Sequence, residues 1–176
     1  MHQGQCQRLI AYAASVGASG VLNRTLAFQQ MHFPTVVEGW GQAIMGADCG
    51  DGNEFNLAMA RNKGINYAEK HGYEWLLLLD ADVVMERSAT HFPSGGFACP
   101  KLAWLSDEDV PPFHFPEHRW MRSQFALLHR RYFGRRFDER FTGYGLEECD
   151  FEEHVMADMT PEETSLRVLH LPHHDL

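Results

Sequence analysis

Residues 73–80 read YEWLLLLD and the next five read ADVVM. From Trp75 to Leu79 the run is apolar with no polar alternation. A strand of that kind is buried on both faces, which happens when helices cover both sides of a largely parallel sheet. It ends in two carboxylates, Asp80 and Asp82. Desolvating a carboxylate is costly unless something pairs with it, so a cation or hydrogen-bond donors must wait at the end of this strand.

The flanking sequence supports alternation of strand and helix. RLIAYAASVG at 8–17 reads as a buried strand, with a helix the alternative over so short a window, SGVLNRTLAFQQ as a helix, and FPTVVEGWG as a strand running into a loop. GADCGDGN at 46–53 is a loop, and a helix capped by Asn53 then runs to His71 and Gly72. Its inward stripe is Leu57, Ala60, Arg61, Gly64, Ile65 and Ala68, which turns Arg61 toward the core. Residues 86–122 carry prolines at 93, 100, 111, 112 and 116 and read as loops around a cleft, with short strand-like pieces such as GFACP. SQFALLHR reads as a strand and RRYFGRRF as a turn of helix; FTGYGLEECDFEEHVMAD is a glycine loop feeding an acidic helix from about Glu147 to Met156. The end of the chain predicts a helical turn capped by Thr160 and then a last strand, RVLH. The expected architecture is an α/β sandwich with a mainly parallel central sheet, one domain over 1–176, with ligands at the carboxyl ends of the strands.

Composition narrows the partners. A formal net charge of -9 over 176 residues opposes attraction to nucleic acid or to an anionic membrane. No stretch approaches the roughly 20 apolar residues of a membrane span, and the first residues show no basic leader with a long apolar segment, so a soluble, cytoplasmic chain is expected. Cys6, Cys49, Cys99 and Cys149 are widely spaced with no C-x-x-C, which fits reduced thiols. The basic stretch HRRYFGRR at 129–136 has two readings, an anion-binding patch or a solvated face balancing nearby acids.

Four groups of residues could carry chemistry. Asp80 and Asp82 offer hard oxygens of the kind Mg²⁺ or Mn²⁺ takes when its remaining ligands are diphosphate oxygens and water; a bare D-x-D is also just a strand end facing solvent. Arg61, with Asn62 beside it, needs an anionic partner, either a diphosphate or Asp80 itself. In GYGLEECDF, Tyr144 offers a flat face for stacking a sugar, Gly145 permits close approach, and Glu147 and Glu148 fall in a first helical turn. There the helix dipole keeps a carboxylate ionised, as a general base requires, although acids at that position also simply cap helices. Last, HLPHHDL brings His170, His173 and His174, any of which could add a nitrogen ligand and favour Mn²⁺.

Two of these segments look alike to known motifs. NLAMARNKGINYAEKHGYEWLLLLDADVVM resembles the nucleotide-sugar half of GT-A fold glycosyltransferases, in which an ARN-x-G helix precedes a strand ending in D-x-D. FDERFTGYGLEECDF resembles the acceptor-side motif of the β-1,4-galactosyltransferase-like group. Tyr144 stands where that group usually has tryptophan, Leu146 where glycine is frequent, Glu148 where aspartate is commoner and Cys149 at an often acidic position. The resemblance implies a nucleotide-sugar half over about 1–85 and an acceptor half over about 86–176. It implies a metal-dependent, inverting transfer of a sugar from a nucleoside diphosphate donor, a UDP-sugar, to a glycan or other hydroxyl acceptor. It places Asp80 near the ribose or metal, Asp82 on the metal with His170 or His173, Glu148 as base, Glu147 on the acceptor hydroxyl, and Glu38 at the uracil or ribose.

Two rival functions share the fold. A nucleotidyltransferase would carry a glycine-rich, basic phosphate loop after the first strand, and SVGASG has the glycines without Lys or Arg. A non-catalytic nucleotide- or glycan-binding module would not need Asp80, Asp82, Glu148 and His170 together. A homo-oligomer is left open by the sequence.

Overall fold

A computed structural model of the chain describes residues 7–15, 19–47, 56–104, 126–142 and 147–172. Eight strands are described: β1 Arg8–Ser15, β2 Trp40–Ala47, β3 Trp75–Asp80, β4 Val83–Arg87, β5 Phe97–Ala98, β6 Lys101–Trp104, β7 Ala126–His129 and β8 Arg167–His170. The α-helices are α1 Ser19–His32, α2 Leu57–Lys70 and the four-residue α3 Glu147–Asp150, which continues into a π-helical turn, Phe151–Val155.

Five strands form one sheet in the order β2-β1-β3-β7-β5, and three form another in the order β4-β8-β6. β2, β1 and β3 run parallel, whereas β7 and β5 are antiparallel additions. The central sheet is buried on both faces, as the unalternating WLLLL run requires. Leu76 and Leu78 pack with Ala58, Ile65 and Ala68 of α2 and with Phe137 and Phe151, while Leu77 and Leu79 pack with Leu22 of α1 and with Val83, Met85 and Val168. A Cβ at Gly64 would meet the Ala11 Cβ at 3.0 Å and Leu78 Cδ2 at 3.2 Å, so the glycine lets α2 lie close on β1 and β3. Among the described residues no helix is long and apolar enough to cross a membrane.

Three expectations need correction. FPTVVEGWG is not the second strand: Pro34–Val37 forms a 3-10 turn with proline in its first positions, the chain reverses at Gly39 (φ 76°), and the strand is Trp40–Ala47. Proline's fixed φ suits a helical start, and the β-branched pair Val36-Val37 is overridden by it. Helix α2 is capped by Asn56, whose side chain accepts from the Met59 N–H at 2.8 Å; Asn53 lies outside the described residues. Residues 160–164 form no helical turn. Instead Glu162 bridges to Ala98, and its carboxylate accepts from the backbone N–H groups of Ser94 and Gly95, which holds the segment extended.

Candidate active site

The DAD tripeptide is the joint between the two sheets. Asp80 ends β3, Ala81 and Asp82 turn, and β4 begins at Val83 in the second sheet. The two acids therefore meet different surroundings.

Asp80 faces α2. Arg61, only 2% exposed, reaches it through Nη2 at 3.3 Å and spreads Nη1 over Glu148 Oε1 at 2.8 Å and Glu147 Oε1 at 3.3 Å. The Phe137 ring lies against the guanidinium at 5.4 Å. Three carboxylates from β3 and α3 thus share one buried cation. Burial would depress the Arg61 pKa, but Asp80, Glu148 and Glu147 outweigh it and raise it. Burial pushes Asp80 up to about 7; Arg61 pulls against this, and Asp82 and Glu148 add to it. Glu147 is raised as well, by burial first and by Glu148 second. Excess negative charge in a desolvated cluster favours a further cation nearby.

Asp82 faces β8. Antiparallel pairing of β4 with β8 sets Val83 opposite His170, and the Leu171 N–H donates to the Asp82 carbonyl at 2.9 Å. This brings Asp82 Oδ2 within 3.5 Å of His170 Nε2, with both side chains largely buried. A carboxylate oxygen and an imidazole nitrogen this close suit one divalent ion of the Mn²⁺ kind, so the donor set fits. Among the described residues no third His, Cys, Asp or Glu joins this pair in a set that could hold a metal ion, and Asp80 is turned to Arg61.

The remaining expectations separate. Asn62 is buried and its amide is taken by the chain: Nδ2 donates to Phe137 O at 2.9 Å and to Glu139 Oε1 at 2.8 Å, and Oδ1 accepts from Phe137 N–H at 2.9 Å. It fixes the segment that puts Phe137 under Arg61. Glu38 is not brought to this site. It precedes β2, whose Trp40 is level with Arg8 and hence with Trp75, so it sits beyond the amino ends of the strands; five residues of β3 at about 3.3 Å each, about 17 Å, part that end from Asp80. Tyr144, Gly145 and His173 lie outside the described residues. The basic stretch lies at the same amino end as Glu38, where the Arg130 N–H donates to the Glu74 carbonyl; Arg135 pairs with Asp158 and Arg136 with Glu69, which matches the solvated-face reading. Phe137 is the site residue that sequence reasoning missed. Its signal was the aromatic in FDERF placed to follow a basic turn, which identifies burial but not a cationic neighbour.

No protein-family model matches the chain, and no curated protein matches it. Solved structures do. A mutant of Drosophila β1,4-galactosyltransferase 7, in complex with manganese, UDP-Gal and xylobiose, superimposes with a TM-score of 0.62 at 18% identity, over 95% of this chain and 65% of that one. A glycosyltransferase involved in glycosylation of the major capsid of PBCV-1 does so with a TM-score of 0.55 at 15% identity, over 93% of this chain and 81% of its own. The chain therefore spans 65% of the Drosophila chain in that structure, and at 15–18% identity the likeness shows the fold alone: it is the GT-A fold of these glycosyltransferases.

Proposed function

We propose that the chain is a metal-dependent, inverting glycosyltransferase that moves a sugar from a UDP-sugar to an acceptor hydroxyl. The observation that carries this is the placement of the Asp82–His170 pair and the Glu147–Glu148 pair on the two sides of Asp80, at the carboxyl end of the parallel strands. The structural neighbour with manganese and UDP-Gal supports the choice of metal and donor class.

Asp82 and His170 are the residues that would hold Mn²⁺ or Mg²⁺, and the ion would supply positive charge to the departing diphosphate. Asp80, its Oδ1 held by Arg61 and its side chain 19% exposed, is assigned to the donor ribose. Glu148 accepts the proton of the acceptor hydroxyl as that oxygen bonds to the anomeric carbon. The bond from that carbon to the diphosphate breaks on the opposite face, and its electron pair leaves with the diphosphate. Glu147, almost wholly buried beside it, is assigned to the acceptor hydroxyl, and Tyr144 and Gly145, which lie outside the described residues, are assigned to the acceptor sugar.

The test is thermal unfolding with UDP, with and without Mn²⁺, followed by turnover of UDP-sugars. A ligand at 100 times its Kd stabilises the native state by about 2.7 kcal/mol. A chain that UDP and Mn²⁺ together leave unshifted, and that turns over no UDP-sugar, is not this enzyme.

A further inference from the structure

We infer that Arg61 is a positioning residue for the transfer step: rather than binding the donor, its guanidinium holds the Glu147–Glu148 pair against the end of β3 and so fixes where the proton-accepting carboxylate stands. This rests on the reading of the site as a transferase centre.

Both Nη atoms of Arg61 are committed, Nη1 to Glu147 and Glu148 and Nη2 to Asp80. The Phe137 ring lies against one face of the guanidinium. The residue is itself rigidly held. α2 packs on β1, β2 and β3, and it is tied to segment 137–139 by Asn62 and by the Asn56 amide, which donates to the Glu139 carbonyl at 2.8 Å. The acids have less support of their own, because α3 is four residues long before it passes into a π-helical turn, and so short a helix does not hold a direction without tertiary contacts. Arg61, on α2, is the contact that ties those acids to Asp80 at the end of β3. It grips Glu148 through Oε1, which orients the carboxylate while leaving the other oxygen off the guanidinium. The task needs a planar fork with donors pointing in two directions, and a lysine ammonium on its flexible stem does not reproduce that.

Two variants test this. Arg61→Lys keeps the charge and loses the fork. Arg61→Met combined with Glu147→Gln removes one charge of each sign, and is compared with Glu147→Gln alone; every variant is read well below its own melting midpoint. UDP affinity in Mn²⁺ is read by calorimetry, and kcat and donor KM by turnover of the UDP-sugar that the wild type uses best. A carboxylate misplaced by about 1 Å costs about 10² in rate, so kcat at saturating donor should fall about 10²-fold in each comparison, whatever change in UDP affinity and donor KM follows through Asp80, whose Oδ1 Arg61 also holds. Unchanged kcat well below the melting midpoint overturns the inference, since Arg61 then only stabilises the fold. Lost UDP affinity or raised donor KM with kcat preserved at saturation also overturns it, because Arg61 then serves the donor side, directly or through Asp80. A wild-type chain that neither binds UDP nor turns over a UDP-sugar defeats the transferase reading itself, and this inference with it.

Discussion

Asp80 and Asp82 are two residues apart in one tripeptide, yet the fold gives them opposite partners. Asp80 belongs to a region closed around a buried arginine, where three carboxylates compete for one cation. Asp82 belongs to the seam between the two sheets, where a histidine from the last strand meets it. The closed region is a stability problem that Arg61 solves, whereas the seam brings together a carboxylate and an imidazole that we assign to a metal ion. Substitutions in the first should therefore act on folding or on chemistry, and in the second on metal binding.

The largest effects belong to the closed region. Glu148→Gln keeps the size and a hydrogen bond to Arg61 but removes the proton acceptor, so turnover should drop by about 10² to 10⁴. The melting midpoint should hold or rise, because one of three crowded negative charges is gone. A variant with wild-type turnover would remove Glu148 from the chemistry. Arg61→Met acts on the other quantity: it strands Asp80, Glu147 and Glu148 without their shared cation, and breaking a buried pair in this way costs about 3–5 kcal/mol. Denaturant unfolding with a loss below about 1 kcal/mol would show that the cluster protonates or rehydrates at little cost.

Across the seam the sign of the expectation changes. Asp82→Ala should leave the metal-free midpoint nearly where it was and abolish the Mn²⁺-dependent part of the UDP shift, about 2.7 kcal/mol at 100 times Kd. His170→Ala should weaken that shift and reduce the preference for Mn²⁺ over Mg²⁺. If Asp82→Ala instead unfolds the chain as Arg61→Met does, the contrast between the two acids collapses.

Much of this contrast was legible in the sequence because it rests on local pattern. The 3.6-residue stripe turned Arg61 inward, the apolar run placed Asp80 and Asp82 at a strand end, and RVLH ended a strand on His170. What escaped was set by distant pairing. β2, WGQAIMGA, has two glycines and few β-branched residues, and it is a strand because β1 offers it a parallel register from Arg8 to Ser15; TVV, with the better propensity, lost its strand to Pro34. Misplacing β2 by one element carried Glu38 to the wrong end of the sheet. β4 and β6 are likewise strands through β8, and nothing local in ADVVMER shows that the chain changes sheets after Asp82. The different surroundings of the two acids follow from that change.

The smallest effect lies on the far side of the acidic helix, at Glu152 in the π-helical turn. One of its carboxylate oxygens is buried without a hydrogen-bond partner among the described residues, and Glu152 contributes, after burial, to pushing the Cys99 thiol up to about 12. Burial, and then Glu153, raise Glu152 itself from 4.5 to about 7. A carboxyl whose folded-state pKa lies above its unfolded value binds its proton more tightly when folded. Its contribution is thus fully present below pH 4.5 and is lost as pH rises through about 7. Glu152→Gln removes the titration, so the fall in stability between pH 5 and 8 should be shallower in the variant, by well under the full shift because the side chain is partly solvated. Asp80 titrates in the same window in both proteins and cancels in the difference. Matched urea unfolding series that give parallel curves for wild type and variant would mean that the orphaned oxygen finds water, and that this end of the helix, unlike the end bound to Arg61, carries no electrostatic strain.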